Sequence, residues 1–368
     1  MTGFEPSLLS IEQKIGQLFF VGIPGPEFDS ETKSIINEIQ PGGVCLFARN
    51  IKTLAQTREL LDSLHNDLPV TPLLSLDQEG GRVDRLRRIM PPMPAAASLR
   101  NEGDALELGD IIGDTIRVLG FNMDFAPVVD VIDGPRNDLN NGLQSRGFGS
   151  SEKDVVSMAG AFLDGLNKHN ILGCIKHFPG LAASAVDSHD NLPVVPIKEE
   201  ELRQKDLFPY VRLIKDRPNI AVMVAHAAYP ATGLQETGDN GNLLPSSLSR
   251  RVVTSLLRDE LKFKGVAITD DMEMGAIVRN YGIGEACKMA INAGQDMLAI
   301  CASVDAIYEG YRAVKDAVKF GEIGEDQISL SLDRISKMKV GIGERAAFDQ
   351  DRLREISERI RKLNQHLN

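Results

Sequence analysis

The sequence has no tryptophan, only five tyrosines, and an aromatic content of 5% over 368 residues. Broad stacking platforms for bases or long glycans are therefore not expected, although single contacts to a sugar through Phe, Tyr or aliphatic side chains remain available. Positive charge is also scarce: 41 Lys and Arg face 52 Asp and Glu, a net charge of −11. That balance opposes the counterion release on which nucleic-acid affinity rests, so neither nucleic acid nor an anionic membrane is an expected partner. The four cysteines, Cys45, Cys174, Cys287 and Cys301, are too far apart for a CxxC motif and read as buried thiols in a reducing compartment. No apolar stretch approaches the roughly 20 residues of a membrane-spanning helix. The run Leu18 to Val21 follows Glu12 and Lys14 without the basic start or cleavage pattern of a signal peptide. These absences predict a cytoplasmic protein. His and acidic residues show no ligand spacing such as HExxH, so no metal or other cofactor is expected.

What is present is ordinary soluble composition, 42% apolar and 25% charged. Eight short β-type runs recur with helical stretches between them: Leu18 to Val21, Gly43 to Phe47, Pro72 to Leu76, Gly120 to Phe125, Gly173 to Lys176, Ile220 to Ala225, Gly265 to Thr269, and Met297 to Ile300. Strands alternating with helices predict a parallel α/β sheet. Eight of them fit a closed (β/α)8 TIM barrel. The rival is an open doubly wound sheet, which would more often carry a glycine-rich phosphate turn after its first strand, and Gly22-Ile23-Pro24-Gly25 is not GxGxxG. Amphipathic helices are predicted over Val304 to Phe320 and Glu325 to Lys339, with a charged terminal helix over Asp349 to Leu367. With no Pro- or Ser-rich linker and no internal repeat, the expectation is a single domain over 1–368, the barrel covering about 11–340.

Polar residues stand just beyond several strand ends: Asp77, Lys176 with His177, His226 and Asp270. In a TIM barrel this is the rim where catalytic groups converge. Each alone is better explained as a cap or a satisfied core polar group; their shared position is the argument. Lys176-His177-Phe178-Pro179-Gly180 supplies donors and a titratable ring, and Pro179 and Gly180 turn the chain away from the barrel. The small-residue segment Leu181 to Val186 reads as a mobile flap or a short helix. Asp187 and His189 follow it, close enough for the carboxylate to orient the ring for acid/base work. Gly265 to Met272 is a buried-type strand ending in two carboxylates: Asp270 is the candidate nucleophile, and Asp271 is expected to cap the next helix. In Asp77-Gln78-Glu79-Gly80-Gly81-Arg82-Val83-Asp84-Arg85 the paired glycines would let the backbone approach a ligand, while a carboxylate and a guanidinium could bond vicinal hydroxyls. Arg146 adds a second possible clamp.

Lys-His-Phe-Pro-Gly, then Asp-Ser-His, with Asp-Gln-Glu-Gly-Gly-Arg-Val upstream and Ile-Thr-Asp-Asp-Met downstream, resembles the barrel of glycoside hydrolase family 3, in particular its bacterial β-N-acetylglucosaminidase (β-hexosaminidase, NagZ-type) branch. The resemblance runs in order from about Ile11 to Cys301. It implies Asp270 as catalytic nucleophile, His189 as acid/base and Asp187 as its dyad partner. Asp77, Arg85, Arg146, Lys176 and His177 match the sugar-binding positions. The implied reaction is retaining release of terminal β-linked N-acetylglucosamine from a small carbohydrate or muropeptide-like substrate, as in peptidoglycan recycling. One departure stands out: the branch usually reads Pro-Gly-His-Gly-Asp-Thr, whereas here Gly180 is followed by Leu181-Ala182-Ala183-Ser184. Four alternatives stay open: a related β-glucosidase, a β-N-acetylglucosaminide phosphorylase, a Schiff-base lyase using Lys176, and a sugar-binding barrel with an impaired loop.

Overall fold

The computed structural model describes residues 3–186, 191–238 and 241–368. The chain runs through β1 (Phe19–Gly22), β2 (Gly43–Cys45) and β3 (Leu73–Leu76), then a two-stranded antiparallel hairpin of β4 (Gln78–Gly80) and β5 (Val83–Asp84). It continues through β6 (Met123–Asp124), β7 (Leu172–Phe178), β8 (Ala221–Val224), β9 (Ala267–Asp271) and β10 (Met297–Ile300). Outside the hairpin, the eight strands are parallel and close a barrel in the order β1-β10-β9-β8-β7-β6-β3-β2. Closure is decided at β1, where Phe20 aligns with Gly43 on one side and Ala299 on the other. A strand paired on both sides leaves no free edge, which removes the open doubly wound alternative.

Each barrel strand falls on one of the eight runs expected from the sequence, with ends moved by a few residues. The largest change is Gly120 to Phe125, which shortens to Met123–Asp124. The helix Glu102–Leu119 extends to the edge of this run and ends on Gly120 at φ 107, a left-handed conformation that costs glycine little. At its other end Asn101 accepts a hydrogen bond from the Asp104 amide (3.1 Å), the usual device for satisfying an exposed first-turn N–H.

Outer helices bury apolar stripes against the rest of the fold, while Glu102–Leu119 is buried over most of its surface. Val304–Lys319 turns Ile307, Gly310, Tyr311, Val314 and Ala317 inward at spacings of three and four, the period of an amphipathic helix. The terminal helix Gln350–Leu367 is strongly charged, yet Leu353, Ile356, Ile360 and Leu363 form a buried stripe, and the helix lies against Glu102–Leu119. Asp349 caps it through the Arg352 amide at 2.9 Å. Among the described residues no helix is long and apolar enough to cross a membrane. Inside the barrel, apolar rings such as Phe20 and Phe125, 5.0 Å apart, fill the bore, so polar side chains gather where the strands end.

Candidate active site

At the carboxyl rim a single pocket is lined by Asp77, Arg85, Arg146, Lys176, His177 and Asp270, together with Glu79 and Asp271. Its floor is a network of buried charges. Lys176, 2% exposed on β7, reaches across to Asp77 Oδ1 and Glu79 Oε1, both at 2.7 Å. Glu79 also accepts from Arg146 Nε (2.8 Å) and Nη2 (2.9 Å), a two-point fork. Asp77 is shared with Arg85, 3.2 Å away. Burial pushes both carboxyls up, but the Lys176 ammonium and the two guanidinia outweigh it. Asp77 ends well below the usual carboxylate range and Glu79 at about 2. The same carboxylates hold Lys176 protonated in spite of its burial. The result is a rigid row of donors that need not reorganise to meet a hydroxyl or carbonyl.

His177 is fixed from behind. Its Nδ1 lies 2.8 Å from Asp130 Oδ2, and Asp130 also accepts from the His177 and Leu181 amides. Burial raises the Asp130 carboxyl, and the bonds to His177 and the backbone bring it below its ordinary value. Arg146 Nη2 stands 3.4 Å from His177 Nε2. A guanidinium can only donate, so this pairing places the ring proton on Nδ1 and leaves Nε2 as an acceptor.

Asp270 sits on β9 and opens into the pocket, with Oδ1 bonded to the Asp271 amide at 2.9 Å. Asp271 does not cap the following helix as expected. That helix, Gly275–Val278, starts from Met274 with no side-chain cap, and Asp271 instead accepts from the Glu273 amide at 3.1 Å. Burial raises the Asp271 carboxyl to about 7, with the neighbouring Glu273 and Asp270 charges adding to it. His226 lies beneath, bonded to Ser247 Oγ (2.6 Å) and to the Asp271 carbonyl (3.1 Å). It supports the strand end and does not line the pocket.

Residues 10–338 match the model of the glycosyl hydrolase family 3 N-terminal domain. The chain belongs to glycosyl hydrolase family 3. It is 32% identical to beta-hexosaminidase A of Pseudoalteromonas piscicida over 340 residues, covering 86% of this chain and 56% of that protein. Beta-hexosaminidase of Pseudomonas aeruginosa is 35% identical over 286 residues, 76% of this chain and 80% of that one. The chain thus spans little more than half of the first relative and four-fifths of the second. A solved family 3 β-N-acetylglucosaminidase from Paenibacillus sp. str. FPU-7 superposes with a TM-score of 0.86 at 32% identity, covering 96% of this chain and 69% of that one. The fold expected from the sequence, a TIM barrel, stands together with this membership.

In this family 3 barrel, packing decides two loops. The paired glycines pack on backbone: a Cβ on Gly80 (φ 86) would lie 2.2 Å from the Pro94 carbonyl oxygen, so they allow the β4–β5 turn to press on the segment at Pro94 and Ala95. The start of the expected flap is packed and not helical. Leu181, Ala182 and Ser184 are buried, and Asn141 Nδ2 holds the Ala182 and Ser184 carbonyls at 2.9 Å each. Apolar residues in this departure from the family pattern fill space under the loop, which explains the anchoring. Asp187 and His189 lie outside the described residues.

Glu79, Asp130 and Asn141 were missed as site residues. A signal existed for the first two. Two buried cations need more than one carboxylate, and Glu79 lies in the same motif as Asp77; Asp130 closes the apolar run Phe125 to Val129. Nothing local marks Asn141: its Oδ1 accepts from the nearby Leu143 amide, but the two carbonyls that it holds in the loop are over 40 residues away.

Proposed function

We propose that this family 3 chain is a retaining β-N-acetylglucosaminidase. The observation that carries this reading is the convergence of Asp270 with Asp77, Arg85, Arg146, Lys176 and His177 on one pocket at the barrel's carboxyl rim. The printed names of its relatives, beta-hexosaminidases and a β-N-acetylglucosaminidase, support the sugar. Asp270 attacks the anomeric carbon while His189, oriented by Asp187, protonates the departing oxygen. Water activated by the same imidazole then hydrolyses the glycosyl-enzyme. Retaining enzymes commonly use two carboxylates about 5–5.5 Å apart, and here an imidazole takes the second role. Lys176, Arg85 and Arg146, already held by Asp77 and Glu79, offer donors to the sugar's hydroxyl and amide oxygens without prior rearrangement.

The substrate is a terminal β-N-acetylglucosaminide of the muropeptide type. The reading extends to one barrel domain with the terminal helix folded onto it, and to a cytoplasmic site of action, supported by four free, buried cysteines.

The test is kcat/KM on matched nitrophenyl β-N-acetylglucosaminide and β-glucoside, with mass spectrometry after reaction with a slow 2-fluoro glycoside. Preference for the N-acetyl substrate and label on the peptide containing Asp270 are expected. A faster glucoside overturns the sugar assignment, and label on Asp271 overturns the nucleophile.

A further inference from the structure

At the opposite end of the barrel a second cavity opens between the entries to β3 and β6 and the connection to the terminal helix. Its walls include His65, Asn122, Arg117, Gly343, Glu344 and Arg345. Two guanidinia line it and a third stands beside it: a Cβ on Gly120, another wall residue, would lie 3.5 Å from Arg58 Cδ. The three are unevenly matched by negative charge. Arg58 Nε bonds Asp62 Oδ1 at 2.7 Å, and Arg345 contacts the same carboxylate. Arg117, 8% exposed, donates to the Glu344 carbonyl and, among the described residues, pairs with no carboxylate. Arg58 likewise spends its Nη1 on the Val118 (2.9 Å) and Ala346 (2.8 Å) carbonyls. Carbonyl oxygens satisfy the hydrogen bonds of a guanidinium without cancelling its charge. Arg345 Nε is buried with no acceptor among the described residues.

The cavity opens beside these donors. A Cβ on Gly343 would stand 2.9 Å from Asn170 Nδ2 and 3.1 Å from Arg117 Nη2, so the bare glycine lets both donors approach the 342–346 backbone at the cavity wall. Burial lowers the pKa of all three arginines, and the Arg58 charge lowers that of Arg345 further; at the cavity these three guanidinia stand against the carboxylates of Asp62 and Glu344. Such an excess is unusual in a chain of net charge −11.

We propose that this cavity binds a compact tetrahedral oxyanion, either free phosphate or the phosphate of a small monoester, between Arg117 and Arg345. The planar guanidinium fork matches two phosphate oxygens at once. Binding there ties the 342–346 connection to the barrel and stabilises the folded chain by mass action.

The experiment titrates inorganic phosphate into the full chain, in a phosphate-free buffer, by calorimetry and by thermal unfolding. One saturable site per chain and a rise in Tm are expected. Arg117→Gln and Arg345→Gln should each weaken binding at least tenfold, and His177→Ala, at the other end of the barrel, should leave it unchanged. Arg345 is partly exposed, so its variant keeps the test alive if Arg117→Gln does not fold. A hexose phosphate titrated in parallel separates the sources: tighter binding assigns the site to a monoester, equal or weaker binding to free phosphate. Three results overturn the proposal: no saturable heat; binding lost in His177→Ala but kept in both arginine variants; or an equal rise in Tm in wild type and variants, the mark of a solute excluded from the surface.

Discussion

Glu79→Gln keeps the size of the side chain and removes its charge, and the buried network at the rim makes this substitution costly. In the wild type Oε1 serves Lys176 and Arg146 Nη2, and Oε2 serves Arg146 Nε. A glutamine must turn its NH2 toward one of these cations, donor against donor, and leave Arg146 without its carboxylate. Two routes give the magnitude. The Glu79 carboxyl is held at about 2 against an ordinary 4.5, and at ~1.4 kcal/mol per pKa unit that difference is worth about 3 kcal/mol. Breaking a buried ion pair from one side costs about 3–5 kcal/mol. The routes agree, so urea unfolding at pH 7 should show a loss of about 3 kcal/mol, as a fall in midpoint at constant m-value. The sign with pH follows from a folded-state pKa below the unfolded one: the contribution is complete above pH 4.5 and fades as pH falls toward 2. The gap between wild type and variant should therefore narrow between pH 6 and pH 3.5. A loss under 1 kcal/mol at pH 7, or a gap that does not narrow in acid, would refute the network as the source of stability here.

Asp124 is fully buried, with Oδ1 on the Gln78 amide at 2.9 Å and Oδ2 without a partner among the described residues. Burial, with Asp77 and Glu79 nearby, pushes its carboxyl well up, so its negative charge adds little and the neutral Asp124→Asn should cost less than about 1 kcal/mol, whereas Asp124→Ala, which removes the acceptor of the Gln78 amide, should cost about 1–3; equal losses would contradict this reading. Burial lowers the Lys339 amine to about 7. The folded state then binds fewer protons than the unfolded one up to pH 10.5, so this residue makes stability rise with pH from about 7 to 10.5, by at most ~1.4 kcal/mol per pH unit. Lys339→Met should flatten that rise in urea titrations across the range, and an unchanged slope would exclude Lys339 as its origin. Asn141→Ala strips the Ala182 and Ser184 carbonyls of their donor; it should cost about 1–3 kcal/mol and speed amide exchange over 181–186. Unchanged exchange there would mean that other contacts hold the loop.

The sequence by itself determined the barrel and the identity of most rim residues. Strand runs such as Met297 to Ile300, repeated eight times between helices, carry a period readable one element at a time, and polar residues placed directly after them had to emerge at one end of a closed sheet. Asp77, Lys176, His177 and Asp270 were legible for that reason. Tertiary structure decided which groups each rim residue meets. Lys176 and Asp77 are 99 positions apart, and Arg146 and Glu79 are 67 apart, so local pattern could mark them as charged but could not pair them. The same holds for the loop after Gly180. Its small apolar residues read as freedom to move, because no local feature tells that Asn141 and Asp130 reach it from elsewhere and that its side chains find a buried surface to cover. Burial, which moves a carboxyl such as Asp124 far from its ordinary pKa, is likewise a property of the surrounding chain and not of the residue.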